Sequence, residues 1–130
     1  MKRIFTIIFL CGILSGCGDG FVWEDGQYVV WIDDYSGYGL YITEDREGLL
    51  GRVRANVIAV GSNNLYVVAR QKDPKTKIIS YFYIEKAKDT KYLNQDEITQ
   101  GPFNKNEFIK LKKELGLPAF SKQFKPYNSD

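Results

Sequence analysis

Two cysteines, no histidine and sixteen side-chain carboxylates bound the chemistry open to this 130-residue chain. Without imidazole there is no Ser-His-Asp or Cys-His nucleophile, no Cys/His zinc site and no histidine acid or base. The densest carboxylate sets are Asp33 with Asp34, and Glu44 and Asp45 with Glu47 across Arg46. A carboxylate pair does acid/base work or glycoside hydrolysis when burial holds one member protonated and the other stays ionised. Neighbours on an extended chain point to opposite faces, so Asp33 and Asp34 need a turn before both can address one substrate. Neither set has the ligand spacing of an EF-hand loop. Both read first as turn and surface residues, with a calcium or carbohydrate contact as the alternative. Ser36, Ser62 and Ser80 have no histidine to activate them, and no glycine-rich stretch has the spacing of a phosphate loop.

The residue with a definite chemical fate is Cys17. Lys2 and Arg3 lead into the apolar run Ile4 to Ile13, and Leu14-Ser15-Gly16-Cys17 follows. A positive start, a short apolar stretch and small residues before a processing point make a secretory signal. As a helix, residues 4–16 would rise only about 20 Å against roughly 30 Å of hydrocarbon, too little for a membrane span. The tetrad resembles the lipobox of bacterial lipoproteins, where a diacylglyceryl group joins the Cys thiol and cleavage makes that Cys the N-terminus. The resemblance implies two or three acyl chains on Cys17, enough for stable anchoring where one is marginal. It also implies a bacterial envelope location, lipid-anchored on the extracytoplasmic side of the inner or outer membrane. Cleavage removes 16 residues and leaves 114, a size that suits one domain. Cys11 departs with the signal and Cys17 is spent on lipid, so the core must hold by packing without disulfides. Beyond the covalent lipid on Cys17, no cofactor and no metal is expected.

The elements after the anchor begin with a short tether, Gly18-Asp19-Gly20, that extends only about 10 Å. Residues 28–32 and 38–42 alternate with period two and read as strands, joined by Asp33-Asp34-Tyr35-Ser36-Gly37, which has turn chemistry. Residues 44–51 read as a charged loop. Three β-rich runs follow, Arg52 to Val60, Asn64 to Gln71 and Lys77 to Glu85, whose short connections predict an antiparallel meander. In the last run Ile78, Ser80, Phe82 and Ile84 suit the core, while Ile79, Tyr81 and Tyr83 suit a half-covered face.

A helix from about residue 105 to 115 is predicted by several cues. Asn104 and Glu107 have capping-box spacing, and Phe103 precedes the cap as a staple onto Phe108. Phe108, Leu111 and Leu115 form an apolar stripe widened by Ile109, and Gly116 and Pro118 supply the stop. The expected architecture is α+β: an antiparallel sheet of about five strands covered by one C-terminal helix. The corresponding division is signal 1–16, tether 17–20, one globular domain 21–120 and a polar tail 121–130, with Phe120 and Phe124 as its last anchors. The strings Val57 to Ala69, Tyr81-Phe82-Tyr83-Ile84 and Gly101-Pro102-Phe103-Asn104-Lys105-Asn106-Glu107-Phe108, followed by Leu111 to Leu115, resemble small bacterial lipoproteins of a family without an assigned activity. That resemblance implies the fold and the location and carries no catalytic residues.

Charge is polarised along the mature chain. From Cys17 to Ala69 eight acids meet three arginines, a net of −5, whereas Arg70 to Asp130 carries thirteen basic and eight acidic residues, a net of +5. Solvated faces account for most of this, and a basic surface meeting anionic lipid or an acidic partner is the sharper alternative. The balance does not suit nucleic acid. Aromatic residues crowd the first hairpin, and Tyr35 and Tyr38, flanking Ser36-Gly37, are expected to be exposed; with Trp31 they are the candidate partner contact. The reading is a non-enzymatic binding, inhibitory or immunity-type module that meets the membrane through its lipid and an envelope protein or glycan through its surface. The alternatives are a carboxylate hydrolase acting on an envelope glycan and a structural subunit of an envelope complex. Replacing Cys17 with Ser is expected to leave a full-length, unacylated precursor, which intact-mass spectrometry of the membrane fraction checks.

Overall fold

The computed structural model describes residues 20–43 and 48–127; Cys17 and the Leu14-Ser15-Gly16 that precede it, and Glu44, Asp45 and Glu47, lie outside the described residues. Period-two alternation builds the first sheet. Strands β2 (Tyr28–Asp33) and β3 (Gly37–Ile42) pair antiparallel and turn Tyr28, Val30, Leu40 and Ile42 toward the core. The turn between them forms as its residues suggest: Asp33 Oδ1 accepts the Tyr35 N–H at 2.7 Å, and Gly37 takes a positive φ of 79° that few other residues adopt. Strands β1 (Trp23–Asp25) and β4 (Leu50–Val53) complete an antiparallel sheet in the order β1-β2-β3-β4.

The second sheet holds β5 (Val57–Ser62), β6 (Tyr66–Lys72), β7 (Ile79–Glu85), β8 (Gln100–Phe103) and β9 (Lys122–Gln123), in the order β8-β7-β6-β5-β9. Its central β5-β6-β7 meander is antiparallel throughout. The run that opens at Arg52 is divided, however: Arg52 and Val53 end the first sheet and Val57 begins the second. The division falls at Asn56, whose φ of 47° lies in the left-handed region that asparagine tolerates through local side-chain bonding. There Asn56 Nδ2 donates to the Lys72 carbonyl at 2.5 Å and its Oδ1 accepts the Tyr127 N–H at 2.6 Å. The α+β architecture stands as expected, with a five-stranded antiparallel sheet holding the meander; the first hairpin belongs to a separate four-stranded sheet.

Their inner faces share one core, with Tyr28, Val30, Leu40, Ile42 and Val53 from the first meeting Val57, Val60, Val67, Ala69, Phe82 and Ile84 from the second. On the outer face of the second sheet Val68 and Tyr81 pack with Phe108 and Leu117, so a helical layer covers the side that carries the tyrosines. Short helix α1 (Gln95–Ile98) lies in the β7–β8 connection, and helix α2 (Lys105–Leu115) forms the outer layer. Asn104 Oδ1 accepts the Glu107 N–H and Glu107 Oε1 accepts the Asn104 N–H, both at 2.8 Å, which satisfies two orphan donors of the first turn. Phe108 is 4% exposed and stacks on Tyr81 with ring centroids 4.9 Å apart. Ile109 does not widen the buried stripe; one residue turns the helix by about 100°, and Ile109 is 43% exposed.

The C-terminal segment is more firmly held than a polar tail would be. Lys122 and Gln123 pair with Val60 and Ala59, and Phe124 is buried and stacks on Tyr38 at 4.8 Å. Gly61 makes this approach feasible, since a Cβ there would lie 2.0 Å from the Ala119 carbonyl oxygen. Across the sheets, the Asp25 carboxylate accepts from Ser62 Oγ at 2.5 Å and Lys86 Nζ at 2.8 Å, and these donors hold its pKa below the usual carboxylate value. A depressed folded-state pKa means that this clip stabilises the fold at neutral pH and is lost as pH falls through that value. Among the described residues no helix is long and apolar enough to cross a membrane. Phe108→Ala is expected to cost about 3–5 kcal/mol in urea unfolding and Ile109→Ala less than about 0.5, because only the first side chain leaves a cavity.

Candidate functional site

Arg52 and Asp89 form the one fully buried ion pair among the described residues, with side chains 1% and 0% exposed. Arg52 Nε lies 3.2 and 3.0 Å from the two Asp89 oxygens and Nη2 lies 2.9 Å from Oδ1, a fork that matches the planar carboxylate. The guanidinium also donates to the carbonyls of Gly51 (2.8 Å), Thr90 (3.1 Å) and Leu93 (3.1 Å). Tyr28 completes the set by donating its hydroxyl to Asp89 Oδ2 at 2.8 Å. Burial, and then the Asp89 carboxylate it serves, push the Tyr28 phenol well above its ordinary pKa. Each of these side chains is hydrogen-bonded to another, so the network fixes the geometry of the segment that carries Asp89.

Arg52, alone of the three network side chains, also lines a cleft of about 740 Å³ between β4 and the α1–β8 segment. Tyr41, Leu49, Leu50, Phe82, Leu93 and Pro102 give it apolar walls, and Arg54, Asn94, Gln95, Asp96 and Thr99 supply polar groups. Thr99 Oγ1 donates to the Arg52 carbonyl at 2.8 Å and ties the far wall to β4. Gln95 Oε1 is buried without a hydrogen-bond donor among the described residues. Arg54 is exposed, its stem lies over Gly51, and no described residue pairs with its guanidinium. Burial and the nearby Asp33 raise the Tyr41 phenol pKa, while Arg54 opposes them. A cleft of this size that joins apolar walls to several polar groups suits a small ligand or a peptide segment.

The candidate contact residues of the first hairpin do not form one surface. Tyr35 is 88% exposed at the turn, as expected. Tyr38, expected beside it, is half-buried instead: it lies on the same strand face as Leu40 and packs against the core and Phe124. Trp31 is 36% exposed on the opposite face, where it meets Tyr41 edge-on at 6.3 Å. Asp33 is engaged in its turn, and among the described residues no three carboxylates or thiols come together as a metal site. Arg52, Asp89 and the cleft were missed in sequence reasoning because Arg52 and Asp89 lie 37 residues apart and look like any surface charges. Among the described residues, the one usable sign was the second capping box, Asn94 to Glu97, which marks α1 on the cleft wall; Glu97 Oε1 accepts the Asn94 N–H at 2.8 Å. No protein-family model, curated protein or solved structure matches this chain.

Removing one member of a buried pair leaves the other charge uncompensated, and Arg52→Met is expected to cost about 3–5 kcal/mol. The double variant Arg52→Met with Asp89→Leu is expected to be more stable than Arg52→Met alone, which urea unfolding of the two proteins measures.

Proposed function

We propose that this chain is a lipid-anchored, non-enzymatic binding module of the bacterial envelope, and that it holds a segment of an envelope protein in the β4–α1–β8 cleft. The observation that carries this reading is that an exposed Arg54 and the buried Gln95 Oε1, neither with a partner among the described residues, line the same cleft. A buried acceptor favours a ligand that brings an N–H, and an exposed guanidinium favours a carboxylate. A peptide that carries a carboxylate supplies both, and its apolar side chains fit Phe82, Leu93 and Pro102. The lipid on Cys17 is the second part of the proposal, drawn from the lipobox pattern. The cleft takes precedence over the hairpin as the contact site, because Tyr38 is half-buried and stacked on Phe124.

Short N-acylated peptides with a free terminal carboxylate are expected to raise the thermal midpoint of the protein, by the linkage of binding to folding. Arg54→Gln is expected to weaken the strongest of these interactions at least about tenfold by calorimetry, while Tyr35→Ala leaves it unchanged. Equal binding by Arg54→Gln and the parent protein would remove the cleft from consideration, and chemical conversion of the peptide would overturn the non-enzymatic reading.

A further inference from the structure

We propose that the exposed part of the outer face of the first sheet, Val22 and Trp31 with the half-buried Tyr41 beside them and Val29 buried at its centre, is the surface that rests on the lipid bilayer. The inference depends on the lipid anchor at Cys17 and adds an orientation that the anchor alone does not give. Trp23 lies opposite Val30 and both turn toward the core, so Val22 and Trp31 beside them face outward. Val22 is 40% exposed and Trp31 36%. The Val22 N–H donates to the Val30 carbonyl at 2.9 Å, which keeps the incoming chain zipped to β2. At Gly20 a Cβ would lie 3.7 Å from Trp31 Nε1, so the chain enters the domain at the indole itself.

Cys17 is three residues further back, a span of about 10 Å at full extension. A lipid on that residue brings Trp31 to the level of the headgroups. Indole and phenol rings favour that level because they join an apolar body to a polar edge. Tyr41 meets Trp31 edge-on and lies over Gly39, where a Cβ would come within 2.8 Å of the phenol ring. Among the described residues the charged ones on this face are Glu24 and Asp33 on the strands and Arg54 beside Tyr41, mixed in sign, so the proposed contact rests on apolar and aromatic surface.

The test uses the acylated protein purified from bacterial membranes and placed in phosphatidylethanolamine–phosphatidylglycerol vesicles whose acyl chains carry bromine, a contact quencher of tryptophan. The chain has two tryptophans, Trp23 and Trp31, which makes the readout separable. Trp23→Phe, with Trp31 as its sole indole, is expected to be quenched at least about twofold more than Trp31→Phe, as an interfacial residue requires. Equal or absent quenching in protein whose mass confirms the acyl chains would overturn the orientation and leave the anchor standing. A mass without acyl chains would overturn the anchor and the orientation together. Unquenched protein that crosslinks to a second copy through the Trp31 face would assign that face to self-association and overturn the proposal.

Discussion

The Arg52–Asp89 pair is the constraint on which the rest of the molecule depends. It joins the edge strand of the first sheet to the long connection that leaves the second, and Tyr28 brings β2 into the same network. Each charge lost its water on folding, a penalty of several kcal/mol that mutual attraction alone does not reliably offset. Further hydrogen bonds make up the difference here: three backbone carbonyls accept from Arg52, and the Tyr28 hydroxyl donates to Asp89. The geometry is demanding, and that demand fixes where the 86–99 segment lies. Leu93, Gln95 and Thr99 on that segment are cleft residues, so the buried pair determines the shape of the cleft without facing a ligand.

Local signals were legible in the sequence wherever a run was long and its period clear. Helix α2 has its cap, stripe and stop within a dozen residues, and its bounds coincide with those read from the residues. The β5-β6-β7 meander and the first hairpin were likewise apparent, and so was the placing of Phe82 and Ile84 on the core face of the last strand and of Tyr81 and Tyr83 on the other; Ile78, read with the core set, precedes β7 and is exposed, because the strand's pairing with β6 begins only at Ile79. Strands β1, β8 and β9 were not, because two to four residues carry no usable period and owe their conformation to a partner strand. The break at Asn56 had a related cause: a single asparagine between β-prone runs is a weak turn signal, and its bonds to Lys72 and Tyr127, distant in the chain, hold the turn there. Tyr38 failed for a related reason, since its cover is Phe124, 86 positions away in the chain.

The candidate site was the least legible part. A buried ion pair and an exposed one have the same residue types, and spacing along the chain does not distinguish them. The cleft walls come from β4, α1 and β8, of which the first was read as loop and meander and the other two not at all. The candidate cleft is thus built mainly from elements that tertiary contact creates, whereas the well-signalled elements form the scaffold behind it.

If the Trp31 face rests on the bilayer, the polarity of charge along the chain takes on a spatial meaning. The first sheet, the second sheet and α2 are successive layers, and packed layers are separated by about 10 Å. The lysines of α2 then stand some 20 Å above the first sheet, beyond the Debye length of about 8 Å at physiological salt. Anionic lipid beneath the first sheet is screened from them, so attraction of this helix to the bilayer does not orient the domain. Its basic face is turned to the aqueous side, with Lys105, Lys112 and Lys113 around the exposed Ile109. Tyr41, by contrast, belongs both to the Trp31 face and to the cleft wall, which places the cleft mouth near the headgroups. A partner segment reaching Arg54 in that arrangement would approach along the membrane surface, where both anchor and partner are confined and their encounter is favoured by effective concentration.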